Sequence, residues 1–159
     1  MRKVLNASQR FLELLLVASV AILIIPVSLQ IFSRQTALIP TYIWTEEMAR
    51  FCFIWMIMIG AMIGAREGTH FDVDVFPKLS ARAAAALSLV TNALSLVFAA
   101  VMLRYGIKFA QFGWNQTSEI ADLPMWLIFI AWPLTGFAWI VFLGERSWDA
   151  VRVLAGAER

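Results

Sequence analysis

Two clusters hold most of the polar chemistry of this chain. The first, Trp44-Thr45-Glu46-Glu47-Met48-Ala49-Arg50, sets two carboxylates and a guanidinium within two helical turns. Arg50 follows Glu46 by four residues and Glu47 by three, spacings at which either carboxylate can pair with it on a helix surface. Thr45 is placed to cap such a helix, and acids in a first turn are favoured by the helix dipole. The cluster reads either as a neutralised helix entrance or as a charged patch that recognises a partner. A proton or ion path would need further acids deeper along the same segment, and residues 51–65 contain none. The second cluster, Arg66-Glu67-Gly68-Thr69-His70-Phe71-Asp72-Val73-Asp74, alternates His70, Asp72 and Asp74 in the manner of metal ligands. One histidine and two aspartates fall short of a defined zinc set, and the same residue types form turns and caps in a solvated connection.

The remaining inventory closes off catalysis. Cys52 and His70 are the only residues of their kinds, so a disulfide within the chain and a haem held between two histidines are both excluded. Cys52 lies in an apolar stretch, where a small buried hydrophobe is the common role. No phosphate-binding glycine loop, nucleophile elbow or nucleophile-base pair is present. The chain therefore reads as no enzyme, and no cofactor is expected. A formal net charge of +2 raises nucleic acid as a partner, but the basic residues are scattered at the ends of apolar runs, as membrane topology requires.

Those apolar runs are the elements that must position the clusters. Of 159 residues, 61% are hydrophobic and 15% charged, a balance that makes lipid the expected solvent. Uncharged stretches at 14–33, 51–65, 83–103 and 123–144 predict an all-α polytopic membrane protein, a single domain over 1–159 with spans near 12–33, 46–66, 83–104 and 123–144. The second run is short and crosses only if its helix continues through Glu46, Glu47 and Arg50 at one end and Arg66 at the other. The N-terminal run is longer than a signal core and lacks a cleavage site, so it is expected to stay as the first span. Nine Lys and Arg fall on the side of the two termini and the second connection, against four (Arg34, Arg50, Arg104 and Lys108) on the other. The positive-inside rule then places both termini in the cytoplasm.

Within the spans, Gly60 and Gly64, with Ala61 and Ala65 beside them, form a small-residue patch suited to close helix packing. Ser88, Asn92, Ser95 and Ala99 recur at helical spacing on the third span, and Asn92 is expected to bond across helices or to meet a substrate. Pro26 and Pro133 each free a carbonyl one turn earlier and are expected to bend the first and fourth spans. Beyond the third span, Arg104, Lys108, Gln111 and Asn115 share one face while Tyr105, Phe109 and Phe112 share another, an amphipathic extension that would rest on lipid headgroups or meet a partner. The apolar connection of Leu38, Ile39, Tyr42, Ile43 and Trp44 is expected at the same outer interface.

Taken together, these motifs resemble the small membrane subunit of tripartite ATP-independent periplasmic (TRAP) transporters, the DctQ family. The resemblance rests on Trp44-x-Glu46-Glu47-x-x-Arg50, Trp55, Gly60 and Arg66-x-Gly68-x-His70-x-Asp72-Val73-Asp74, followed by Ser118, Leu123-Pro124-x-Trp126 and Pro133. Glu119 and Ala121 stand where that family often carries proline and leucine. The resemblance implies a scaffold in the bacterial inner membrane, partnered by a large permease subunit and a periplasmic binding protein, in a system that takes up an organic acid on an ion gradient. It directs attention to Trp44, Glu46, Glu47, Arg50, Gly60, Gly64, Arg104 and Lys108 as partner contacts, and to Arg66, His70, Asp72 and Asp74 as a cytoplasmic loop motif. The alternative is a small stand-alone proton or cation antiporter working through Glu13 at the mouth of the first span. Glu13 has Arg10 three residues before it, so an ion pair at the surface accounts for it.

Overall fold

The computed structural model describes residues 2–36, 40, 42–67 and 81–154. Its elements are α1 (Arg2–Thr36), α2 (Trp44–Glu67), α3 (Ala81–Phe112), a 3-10 turn at Gly113–Asn115, a short α4 (Trp126–Phe129) and α5 (Ala131–Leu154). Four stretches, Ala7–Thr36, Trp44–Glu67, Ala86–Asn115 and Trp126–Arg152, are long and apolar enough to cross a membrane. The only extended pairing among the described residues is an isolated bridge between Thr117 and Pro124.

Helix ends overrun the expected spans. α2 continues through Glu46, Glu47 and Arg50 to Glu67, and its 24 residues reach about 36 Å, enough for a hydrocarbon core of about 30 Å. α3 runs 32 residues, about 48 Å, carrying Arg104 and Lys108 in unbroken helix as far as Phe112. Even at a tilt of about 40° a span uses only some 26 residues, so part of α3 must stand in the headgroup region. The prolines behave differently from each other. α1 passes through Pro26 without interruption. The last span breaks at Ile130, three residues before Pro133, and so divides into α4 and α5.

The long helices form an open row in the order α1, α2, α5, α3. α1 approaches only α2; α2 also meets α5; and α5 makes its most extensive contact with α3. Burial follows that order: 6% of the most apolar window of α1 is buried, against 33% for α2 and 39% for the last span. The core is accordingly a narrow strip of Met58, Ile59, Met62 and Ile63 on α2, Ala99 on α3, and Ile128, Ala131, Phe142 and Leu143 on the last span.

Small residues make the α3–α5 seam close. A Cβ on Gly136 would lie 2.7 Å from the Leu103 amide nitrogen and 2.8 Å from the Ala99 carbonyl oxygen, and one on Gly106 would lie 2.8 Å from the Pro133 ring. Backbones meet there because neither glycine interposes a side chain. Across the α2 seam, two indoles supply hydrogen bonds. Trp55 Nε1 donates to the Leu127 carbonyl at 3.0 Å, next to the break at Ile130, and Trp139 Nε1 donates to the Ala61 carbonyl at 2.9 Å. Away from water such bonds average about 0.6 kcal/mol, and their value here is as much in fixing the angular position of each helix.

Two sequence expectations need correction. Gly60 has open space where a Cβ would stand, so it does not serve close packing within the chain. Asn92 is 3% exposed, yet its amide nitrogen has no hydrogen-bond partner. The expected bond across helices through that donor is absent among the described residues, while its neighbours bond within their own helix: Ser95 Oγ donates to Thr91 O and Thr91 Oγ1 to Leu87 O.

Candidate partner-docking site

The N-terminal end of α2 and the loop before α4 build one polar cleft. α2 starts at Trp44, two residues earlier than a Thr45 cap requires. Thr45 is instead buried, and its hydroxyl donates to the Tyr42 carbonyl at 2.6 Å. Glu47 reaches a distant segment: its carboxylate accepts the Ala121 amide at 2.8 Å, with Arg50 of the same helix in electrostatic range. The loop it holds is shaped for that contact. Ser118 donates its amide to the Leu123 carbonyl at 2.8 Å while its hydroxyl accepts the Leu123 amide at 3.1 Å. Met125 N donates to Gln116 O at 2.9 Å. Asp122 closes the turn in the left-handed region at φ 51°, a conformation that aspartate tolerates better than most residues. The resulting cleft, about 410 Å³, is lined by Glu47, Arg50, Gln116, Ser118 and Glu119 among others.

With Glu47 engaged by the loop, Arg50 is left exposed, with no ion pair or hydrogen bond among the described residues. It belongs to a longer feature. Glu46, Arg50, Phe53, Ile57 and Gly60 fall at helical spacing on α2; the first four are exposed and Gly60 is half-buried. Phe53 and Ile57 are 49% and 47% exposed. The stripe is thus the side of α2 that neither α1 nor α5 covers, and it runs from the cleft toward mid-helix. Gly64, one turn further, is buried inside the chain.

The other candidates lie apart. Trp44 is exposed beside Tyr42, ring centroids 6.3 Å apart. Arg104 and Lys108 are exposed on α3 and do not line the cleft; the Lys108 ammonium stands 5.6 Å from the Tyr105 ring. Arg66, at the far end of α2, forms an ion pair with Glu145 of α5, and its guanidinium lies 5.7 Å from the Phe142 ring centroid. Both side chains are largely enclosed, 15% and 14% exposed. His70, Asp72 and Asp74 fall outside the described residues. Among the described residues no group of three His, Cys, Asp or Glu is placed to hold a metal. Glu13 sits on an exposed stretch of α1, where it accepts a bond from Gln9 Nε2 at 3.0 Å.

Sequence reasoning missed Glu145, Trp139, Gly106 and the loop contact of Glu47. A solitary acid at the end of the last span, on the same side as Arg66 in a four-span layout, was the one available signal for the ion pair.

The family profile of the DctQ component of tripartite ATP-independent periplasmic transporters matches residues 23–153, which includes the cleft, the stripe and all of α2 to α4. The chain belongs to this family. It is a permease component and not an enzyme, and with four spanning helices it is a multi-pass protein of the inner membrane. Among related proteins, the C4-dicarboxylate TRAP transporter small permease protein DctQ of Rhodobacter capsulatus is 30% identical over 95 residues, 58% of this chain and 42% of that protein. The sialic acid TRAP transporter small permease protein SiaQ of Vibrio cholerae is 29% identical over 160 aligned positions, 98% of this chain and 88% of the relative. The isethionate TRAP transporter permease protein DctMQ of Oleidesulfovibrio alaskensis is 27% identical over 119 residues, 73% of this chain but 19% of that much longer protein.

Proposed function

We propose that this chain is the small permease subunit of a TRAP-type uptake system for an organic acid, and that it holds a large permease subunit in the membrane and helps seat a periplasmic binding protein. The observation that carries the reading is the family match over 23–153 combined with the uncovered stripe Glu46, Arg50, Phe53, Ile57 and Gly60. Related TRAP permease proteins bear names for C4-dicarboxylate, sialic acid and isethionate, all of them organic acids, which supports that substrate class. The isethionate relative, whose name joins M and Q in one permease protein, supports a close association with the large subunit. Cytoplasmic termini, supported by the nine-to-four distribution of Lys and Arg, put the cleft of Glu47 and Arg50 at the periplasmic surface, where a binding protein arrives. The row of helices suits a fixed support, because a moving element needs a stationary one to work against. The antiporter reading through Glu13 gains nothing from the structure, since Glu13 does not line the groove beside α1 and instead accepts a bond from Gln9 on the exposed side of its own helix.

Gly60→Leu tests the proposal. Nothing lies within 4 Å of a Cβ at that position, so the substitution leaves the chain's own packing intact and intrudes only on a neighbour. The expected result is loss of the large subunit from co-purification on a tagged small subunit, with unchanged thermal stability of the small subunit alone. Full recovery of the large subunit with Gly60→Leu and with Phe53→Ala would count against the stripe as the interface.

A further inference from the structure

A second groove, about 710 Å³, lies along the α3–α5 seam, away from the cleft and from the α2 stripe. Its origin is local: Gly106 meets Pro133 without a side chain between them, which leaves a trough bordered by Phe98, Val101, Tyr105, Phe109 and Trp132. Three of the bordering residues carry hydrogen-bond donors at the edge of an almost wholly apolar wall: Lys108 its ammonium, Tyr105 its hydroxyl and Trp132 its indole N–H. None of the three has a hydrogen-bond or ion-pair partner among the described residues, and no carboxylate lines the groove. Charge points the same way, since α3 carries Arg104 and Lys108 and has no acid along its length.

Dimensions and wall chemistry identify the occupant. Phe98 and Lys108 are ten residues apart, about 15 Å along the helix, which is half of a hydrocarbon core of about 30 Å. The trough is therefore one leaflet deep, with its cation at headgroup level, where tryptophans and tyrosines also gather. Seams that receive another helix are built from small residues, whereas large splayed rings border this one. Aromatic walls of that kind conform to a flexible acyl chain. We propose that this groove is a binding site for an anionic phospholipid, with the phosphate held by Lys108, Tyr105 and Trp132 and an acyl chain lying along Val101 and Phe98.

The experiment is native mass spectrometry of the full purified chain titrated with phosphatidylglycerol or phosphatidylcholine. Phosphatidylglycerol is expected to bind more tightly. Lys108→Gln should weaken it about fivefold, the factor that corresponds to the ~1 kcal/mol a basic residue contributes near an anionic surface, and Lys108→Arg should retain it. Val101→Trp, which fills the trough from an exposed position, should abolish the retention of either lipid. Equal affinity for the two lipids, or binding indifferent to both Lys108→Gln and Val101→Trp, would overturn the assignment. In the assembled transporter a photo-crosslinking residue at position 101 should capture lipid; capture of the large subunit instead would show that a protein helix occupies the groove and would also overturn it.

Discussion

Gly136→Ala places one methyl group where two backbones touch. The new Cβ would stand 2.7 Å from Leu103 N and 2.8 Å from Ala99 O, whereas ordinary contact begins near ~3.5 Å, so α3 and α5 must part locally by about 0.7 Å. Overpacking of this degree costs about 1–3 kcal/mol. Alanine also improves helix propensity by about 1 kcal/mol over glycine, which would mask part of the clash if the variant were compared with the parent alone. Gly144→Ala supplies the proper reference: it lies on the same helix, gains the same propensity and has nothing within 4 Å of its Cβ. The difference between the two variants therefore isolates the steric term. At about 2–4 °C per kcal/mol for a chain of this size, Gly136→Ala should melt roughly 2–12 °C below Gly144→Ala. Thermal unfolding of both in the same detergent, followed by helical circular dichroism, measures it. If Gly136→Ala melted with Gly144→Ala or above it, the close α3–α5 seam would be wrong.

Two further outcomes follow from the polar contacts. Glu47→Gln should leave the helices in place but free the loop, seen as faster hydrogen exchange at the Ala121 amide with no change at α5 amides; unchanged exchange at Ala121 would refute the tether. Arg66→Ala and Glu145→Ala should each destabilise the chain, and the double variant should cost less than their sum by about 0.5–3 kcal/mol, since each single change strands a largely enclosed charge. Strict additivity in a double-mutant cycle would show that the pair contributes nothing.

The spans could be read from the residues because a bilayer demands about 20 consecutive apolar positions, a constraint that needs no knowledge of tertiary contacts. Their ends were less accessible. The helices run on past the apolar stretches, α1 from Arg2 and α5 as far as Leu154, because a helix leaving the hydrocarbon keeps its own hydrogen bonds and has no reason to stop at the first charge. The order of helices in the row was hidden for a different reason. An exposed Leu94 and a buried Leu143 look alike in sequence, since lipid and protein interior reward the same side chains. Glycine spacing pointed to Gly60, which has open space beside it, while a Cβ at Gly106 or Gly136 would meet the neighbouring helix below 3 Å. A crossing needs one small residue at the point of contact and not a repeat. Spacing showed that Glu46 or Glu47 could pair with Arg50, but it could not show the bond that Glu47 accepts from an amide 74 residues along the chain.

A row of four has ends, and α1 is one of them. Detaching it would open its seam with α2 and leave α2, α5 and α3 joined to one another, whereas excising α2 would remove the helix against which both α1 and α5 pack. The outermost plank is thus the part of the molecule whose length, tilt or attachments can be refitted to a different membrane or a different neighbour without disturbing the joinery of the rest.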